Sequence, residues 1–150
     1  MSEALINLLG TLRQMMQSAN IDYAILAAER IDAAWFAEYE HQRIVNSFLF
    51  NYIKIQDKIG SKLFHLVLQH FREDDNDSMT MLDILNRLEK LRIIEHVEAW
   101  DKLREIRIAI THEYPEDIDV RIDNIRLALA GYLQLKSIVA RIQEIMLAQP

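Results

Sequence analysis

Arg107, His112 and Tyr114 stand in one short stretch, Arg107-Ile108-Ala109-Ile110-Thr111-His112-Glu113-Tyr114-Pro115. A guanidinium, an imidazole and a phenol near the end of one helix form a minimal set for cleaving RNA without a metal. The imidazole would act as general base or acid toward the ribose 2′-hydroxyl and the leaving oxygen. The guanidinium would stabilise the crowded anionic phosphate. A helix C-terminus favours the cationic form of His112, and Arg107 presents a planar fork suited to phosphate. Residues five apart on a helix differ by about 140° in projection, so a single Arg–His pair is poorly aligned. A two-fold dimer bringing two sets into one cleft would correct this. A plainer reading is that Arg107 pairs with Asp101, Glu105 or a carboxylate on another helix.

Other residue types can be weighed in the same way. Glu38-x-x-His41 has the spacing of di-iron bundles, but such sites need two of these motifs and two further Glu residues. No other His has Glu three positions before it, so a solvated helix face is the simpler reading. His65 and His70 are five apart rather than four and fit a helix surface or boundary. No metal site and no cofactor are expected. Lys54, Lys58 and Lys62 recur every four residues and offer a basic stripe for RNA phosphates, or equally a solvated face. Trp35, Phe36, Phe48, Phe50, Tyr52, Phe64 and Phe71 form an aromatic-rich zone. Such residues can stack bases, but their apolar spacing suits core for most and interface for some.

The elements that must position these groups are helical. Of 150 residues only three are Gly and two are Pro, where average usage would give about 18. Sandwiches and barrels need a turn every 8–12 residues or so and are excluded. With no Cys there is no disulfide, Cys-ligated zinc or thiol chemistry. The hydrophobic share of 51% supports a core, and a net charge of −6 gives no bulk attraction to nucleic acid or anionic membrane. Met1-Ser2-Glu3-Ala4 lacks the basic start of a secretory signal. No run approaches the ~18 apolar residues of a membrane span. One soluble, cytoplasmic, all-α domain over residues 1–150 is expected.

The apolar spacing predicts a first helix over about 3–18, with Asn20 capping the next. From Ile21 to Phe71 no proline interrupts the pattern, and a break is expected near 39–47. Gly60 marks a kink or a close helix contact. Residues 73–77 read as an acidic, solubilising loop. Thr80 and Asp83 form a capping box for a short helix carrying Leu82, Leu85, Leu88 and Leu91. A further helix opens near His96 or Val97 and ends at about Tyr114, before Pro115. Glu116, Asp117 and Asp119 precede a last helix reaching Met146. The sum is an up-and-down bundle of five to six helices.

Arg107, His112 and Tyr114 meet the pattern R-x4-H-x-Y. With residues 48–64, 79–91 and 100–107 they resemble the HEPN superfamily, in its HepT-like branch. The resemblance covers about residues 21–132, with the first helix as an extra element. It implies an α-helical homodimer whose two R-x4-H sets face each other, with Arg107 and His112 catalytic. It further implies a metal-independent RNase toxin encoded beside an MNT-type nucleotidyltransferase antitoxin, which blocks the toxin by transferring AMP to Tyr114. Related proteins are instead substrate-binding partners of such transferases, or the bundle is a helical scaffold. The family usually carries a polar residue, often Asn, directly after the motif Arg; here it is Ile108.

Overall fold

The computed structural model describes residues 1–73, 79–111 and 116–148, and every regular element among them is helical. Helix α1 spans Glu3–Ala28, α2 is the single turn Ala33–Phe36, and α3 spans Tyr39–Lys58. A π-helical turn, Ile59–Leu63, joins α3 to α4 (Phe64–His70) without a break. Helices α5 (Met81–Lys90), α6 (Val97–Thr111) and α7 (Ile118–Ala148) complete the order. This is the expected all-α architecture of six helical rods among the described residues, with α3 and α4 counted as one. Helix α1 packs on α3 and α7, α6 packs on α7, and α5 bridges α4 and α6.

Helix α1 departs from expectation in length. It begins where Ser2 Oγ accepts the Leu5 N–H at 3.2 Å, but it runs on to Ala28. Asn20 lies inside it, not at a cap. There its Oδ1 accepts the Tyr132 hydroxyl at 2.6 Å, and the Met16 carbonyl lies 3.2 Å from the same hydroxyl. A long-range bond from α7 has taken the side chain that local propensity would use as a cap.

The break in the long central pattern falls at residues 29–38 rather than at 39–47. Asp32 Oδ1 caps α2 by accepting the Trp35 N–H at 2.9 Å. The first turn of α3 then reaches back to the last carbonyls of α2. His41 Nδ1 lies 2.6 Å from the Trp35 carbonyl, and Gln42 Nε2 donates to the Phe36 carbonyl at 2.9 Å. The His41 ring also stacks on Trp35 at 4.1 Å, with Glu38 Oε2 3.1 Å from Nδ1. Glu38-x-x-His41 therefore stitches a helix corner together.

The Thr80–Asp83 capping box is present in both directions, each bond at 3.1 Å. Its helix buries Ile84, Leu85 and Leu88, whereas Leu82, expected on the core side, is exposed. In α7, Leu133 is exposed in the same way while Ile122, Ile125, Tyr132, Leu135 and Met146 are buried. Helices α4 and α5 both end in left-handed caps built on arginine. Arg72 (φ 57°) and Arg92 (φ 60°) donate their N–H groups to the Gln69 and Glu89 carbonyls. The next residues, Glu73 and Ile93, donate to the Leu68 and Leu88 carbonyls. This is the double-bonded helix end that glycine ordinarily makes. The chain's shortage of glycine thus did not abolish αL caps; it moved them onto side-chain-bearing residues.

The core is one continuous cluster centred on Leu12, Phe48, Tyr52, Ile59, Phe64, Leu103 and Tyr132, all fully buried. Most of the aromatic zone lies in it, as expected, with Phe50 the exposed exception. Of the two alternatives for Gly60, the structure shows the close contact: it sits in the π turn, and a Cβ there would lie 2.9 Å from the Trp100 ring. Trp100 packs edge-on against Phe64 at 4.8 Å. A methyl at position 60 would displace an indole that locks α6 onto the α3–α4 rod.

Candidate functional site

Helix α6 carries Arg107 one turn before the last described residue of that helix. Its start is fixed from outside, because Glu89 Oε2 of α5 accepts the Val97 N–H at 2.8 Å. Buried Trp100 and Leu103 set its rotation, and that rotation brings Arg107 toward α3. The guanidinium meets Asp57 side-on, with Nε to Oδ1 at 2.6 Å and Nη2 to Oδ2 at 2.9 Å. The pair is bidentate and half-exposed, at 34% for Arg107 and 49% for Asp57. The hydrogen bonds that Arg107 donates to the Asp57 carboxylate raise its pKa above its already high ordinary value, so the cation is permanent.

Of the partners that the sequence allows for Arg107, the structure selects a carboxylate on another helix. Asp101 is instead 3.8 Å from Arg104, one turn along α6. An exposed ion pair contributes about 0.2–1 kcal/mol. Asp57 therefore orients the guanidinium without committing it, and an incoming phosphate can compete for the same fork.

Around this pair α3 supplies the rest of the surface. Lys54, Asp57 and Lys58 fall within about 100° of arc on a regular helix. Lys54 Nζ lies 5.1 Å from the centre of the Phe50 ring, and that ring is 61% exposed. Ser61 Oγ donates to the Asp57 carbonyl at 2.6 Å. Lys62 falls inside the π turn, whose i→i+5 bonding inserts about one extra residue and shifts the register by that much. The stripe is thus continuous over Lys54 and Lys58 and displaced at Lys62. Ile108, beside Arg107, is exposed. His112 and Tyr114 lie outside the described residues, as do residues 74–77 of the acidic loop and Pro115.

Two participants have no clear mark in the sequence. Asp57 is separated from Arg107 by 50 positions, and no local pattern announces such a pair. Phe50 shares the spacing of the core aromatics, and its position four residues before Lys54 is the one usable signal. A potential ligand trio is equally unmarked: Glu89, His96 and Glu98 bring one ligand atom each within 4.8 Å of one another. All three are exposed, and Glu89 is already engaged as the α6 cap. His65 and His70 are half-buried on α4, with His70 edge-on to Phe71 at 5.1 Å.

No family model, no curated protein and no solved structure matches this chain. Among the described residues no helix is long and apolar enough to cross a membrane.

Proposed function

We propose that the chain is a HEPN-type, metal-independent endoribonuclease of a toxin–antitoxin pair, acting as a homodimer. The observation that carries this reading is the Arg107–Asp57 pair at the surface, flanked by Lys54, Lys58 and the exposed Phe50 ring. An oriented guanidinium, two ammonium groups and a stacking face are what a single-stranded RNA segment needs for phosphate and base contact. In this proposal Arg107 stabilises the pentacoordinate phosphate and His112 moves the protons. Tyr114 contacts substrate or accepts AMP from a cognate MNT-type nucleotidyltransferase that neutralises the toxin. The experiment is cleavage of single-stranded RNA in the presence of EDTA. Activity should persist in EDTA and disappear in Arg107→Ala and in His112→Ala. Activity retained by both variants refutes the assignment.

A second reading has its own support. Exposed Ile108 stands where the family usually has a polar group, and Asp57 neutralises the guanidinium next to it. These features suit a non-cleaving, substrate-binding partner of a nucleotidyltransferase, or a helical scaffold in which Arg107 serves only ion pairing. Under this reading wild-type protein leaves RNA intact and forms a stable complex with a co-encoded transferase. Ile108→Asn that gains cleavage would return the chain to the first reading.

A further inference from the structure

Away from Arg107, the loop between α5 and α6 folds over the middle of α7 and leaves a cleft of about 310 Å³. Well-packed interiors leave few voids larger than one water, and this one has room for roughly ten. Its floor is apolar, made by Ile93, Ile94, Trp100, Leu103 and Ile138. Its polar wall carries Arg92, Arg141 and His96 against the single acid Glu95, with Gln134 and Ser137 alongside. On a chain of net charge −6, the cleft lining carries two arginines and one carboxylate, with Glu144 beside Arg141 and Glu89 and Glu98 beside His96.

The two arginines are differently placed. Arg92 sits at the αL position that ends α5, and its guanidinium makes no ion pair among the described residues. Arg141 Nε donates to the Arg92 carbonyl at 3.3 Å, which ties α7 to the end of α5 at the cleft mouth. Its other partner is Glu144 at 3.6 Å, both side chains being largely exposed. Such a pair is readily exchanged for a better acceptor. The Trp100 ring that lines the cleft is the same ring that abuts Gly60 and Phe64. It is held rigidly, which reduces the ordering cost of binding against it.

We propose that this cleft binds a small organic acid: one planar or short apolar body carrying one carboxylate or phosphate. The body would lie along the partly exposed Ala99 and Ile138, over the buried edge of Trp100, and the acid group would take the Arg92–Arg141 forks. The size is near the lower end of ligand pockets, about 300–1,000 Å³, which favours a single ring system over a polymer. This inference is independent of the RNase reading, since no cleft residue belongs to that site.

The test uses the full chain bearing Trp35→Phe, so that Trp100 is the single tryptophan and is excited selectively above the five tyrosines. Phenylacetate and phenyl phosphate are titrated as the two acid sources, with benzyl alcohol and inorganic phosphate as half-ligands. Saturable quenching by at least one acid, at least tenfold tighter than by either half-ligand, is the expected result. Arg92→Gln/Arg141→Gln should weaken that acid at least tenfold while leaving the benzyl alcohol response unchanged. Carboxylate and phosphate sources are separated by which probe binds tighter. Absence of saturation by both acids at 10 mM (roughly 2.7 kcal/mol short of a 0.1 mM site) overturns the proposal. So does an acid affinity that the double variant leaves unaltered. Wild-type far-UV circular dichroism and urea midpoint in each variant establish that the fold is intact.

Discussion

Gly131 and Gly10 are both helical glycines, yet the same substitution is expected to act on them in opposite directions. Glycine inside a helix costs roughly 0.5–1 kcal/mol relative to alanine. At Gly10 a Cβ meets nothing within 4 Å, so Gly10→Ala should gain about that amount. At Gly131 a Cβ would lie 2.7 Å from the Tyr52 hydroxyl oxygen and 3.2 Å from methyl carbons of both Ile106 and Leu103. Tyr52 is fully buried between α3 and α7 and cannot swing aside. Overpacking costs about 1–3 kcal/mol, which exceeds the propensity gain, so Gly131→Ala should lose about 1–2 kcal/mol net. The hydroxyl responsible has no hydrogen-bond partner. Tyr52→Phe alone should therefore be neutral or stabilising by up to about 1 kcal/mol, because an unsatisfied buried group is removed. In the Tyr52→Phe background the nearest obstacle to a Cβ becomes the pair of methyls, and Gly131→Ala should turn near-neutral. The coupling between the two sites is then about 1–2 kcal/mol. Urea unfolding followed by far-UV circular dichroism on the four proteins of this cycle measures it. Gly131→Ala as stable as wild type, or equally destabilising in the Tyr52→Phe background, would refute the close approach of α3 and α7 at this point.

Three further outcomes follow from the same geometry. Asp57→Ala should cost under about 1 kcal/mol in urea unfolding, because the pair is half-exposed; a loss above about 2 kcal/mol would make Arg107 structural. Burial pushes the Tyr132 phenol from 10.0 up to about 12 and raises Tyr52 as well. A raised folded pKa means that stability is complete below about pH 10 and is lost as pH rises toward about 12. Urea midpoints should fall across that window, and Tyr132→Phe should flatten part of the fall; a flat wild-type profile contradicts the burial argument. Arg92→Gly should raise stability by roughly 0.5–1 kcal/mol. The αL conformation costs about 1–2 kcal/mol for a side-chain-bearing residue, and glycine's greater flexibility returns part of it. Thermal unfolding reads this, and the same variant should weaken phenylacetate or phenyl phosphate binding.

The sequence by itself determined the class of fold and several of its local signals. Apolar spacing without Gly or Pro leaves only helices, and the Thr80–Asp83 box works over three residues of chain whatever surrounds it. The start of α6 at Val97 and the start of α7 after Asp117 were legible for the same local reason. The corner at residues 29–38 had a weaker signal, Asp32 as a cap, and its stitching by His41 and Gln42 depends on a fold-back that no periodicity encodes. Helix ends at Arg72 and Arg92 were hidden because arginine is an unusual αL residue, held there by two backbone bonds each.

For the candidate site the division is sharper. Arg107 was visible as a chemical group in a motif, but its partner was not. Tertiary structure alone brought Asp57 to it, because buried Trp100 and Leu103 fix the rotation of α6 against α3. Tertiary structure likewise sorted the aromatics, leaving Phe50 outside while Phe48 and Tyr52 went in, and it bent Lys62 off the lysine line through a π turn. Local chemistry is carried by residues within a helical turn or two of one another. Which face of each helix meets water is settled only when all the faces compete for one core.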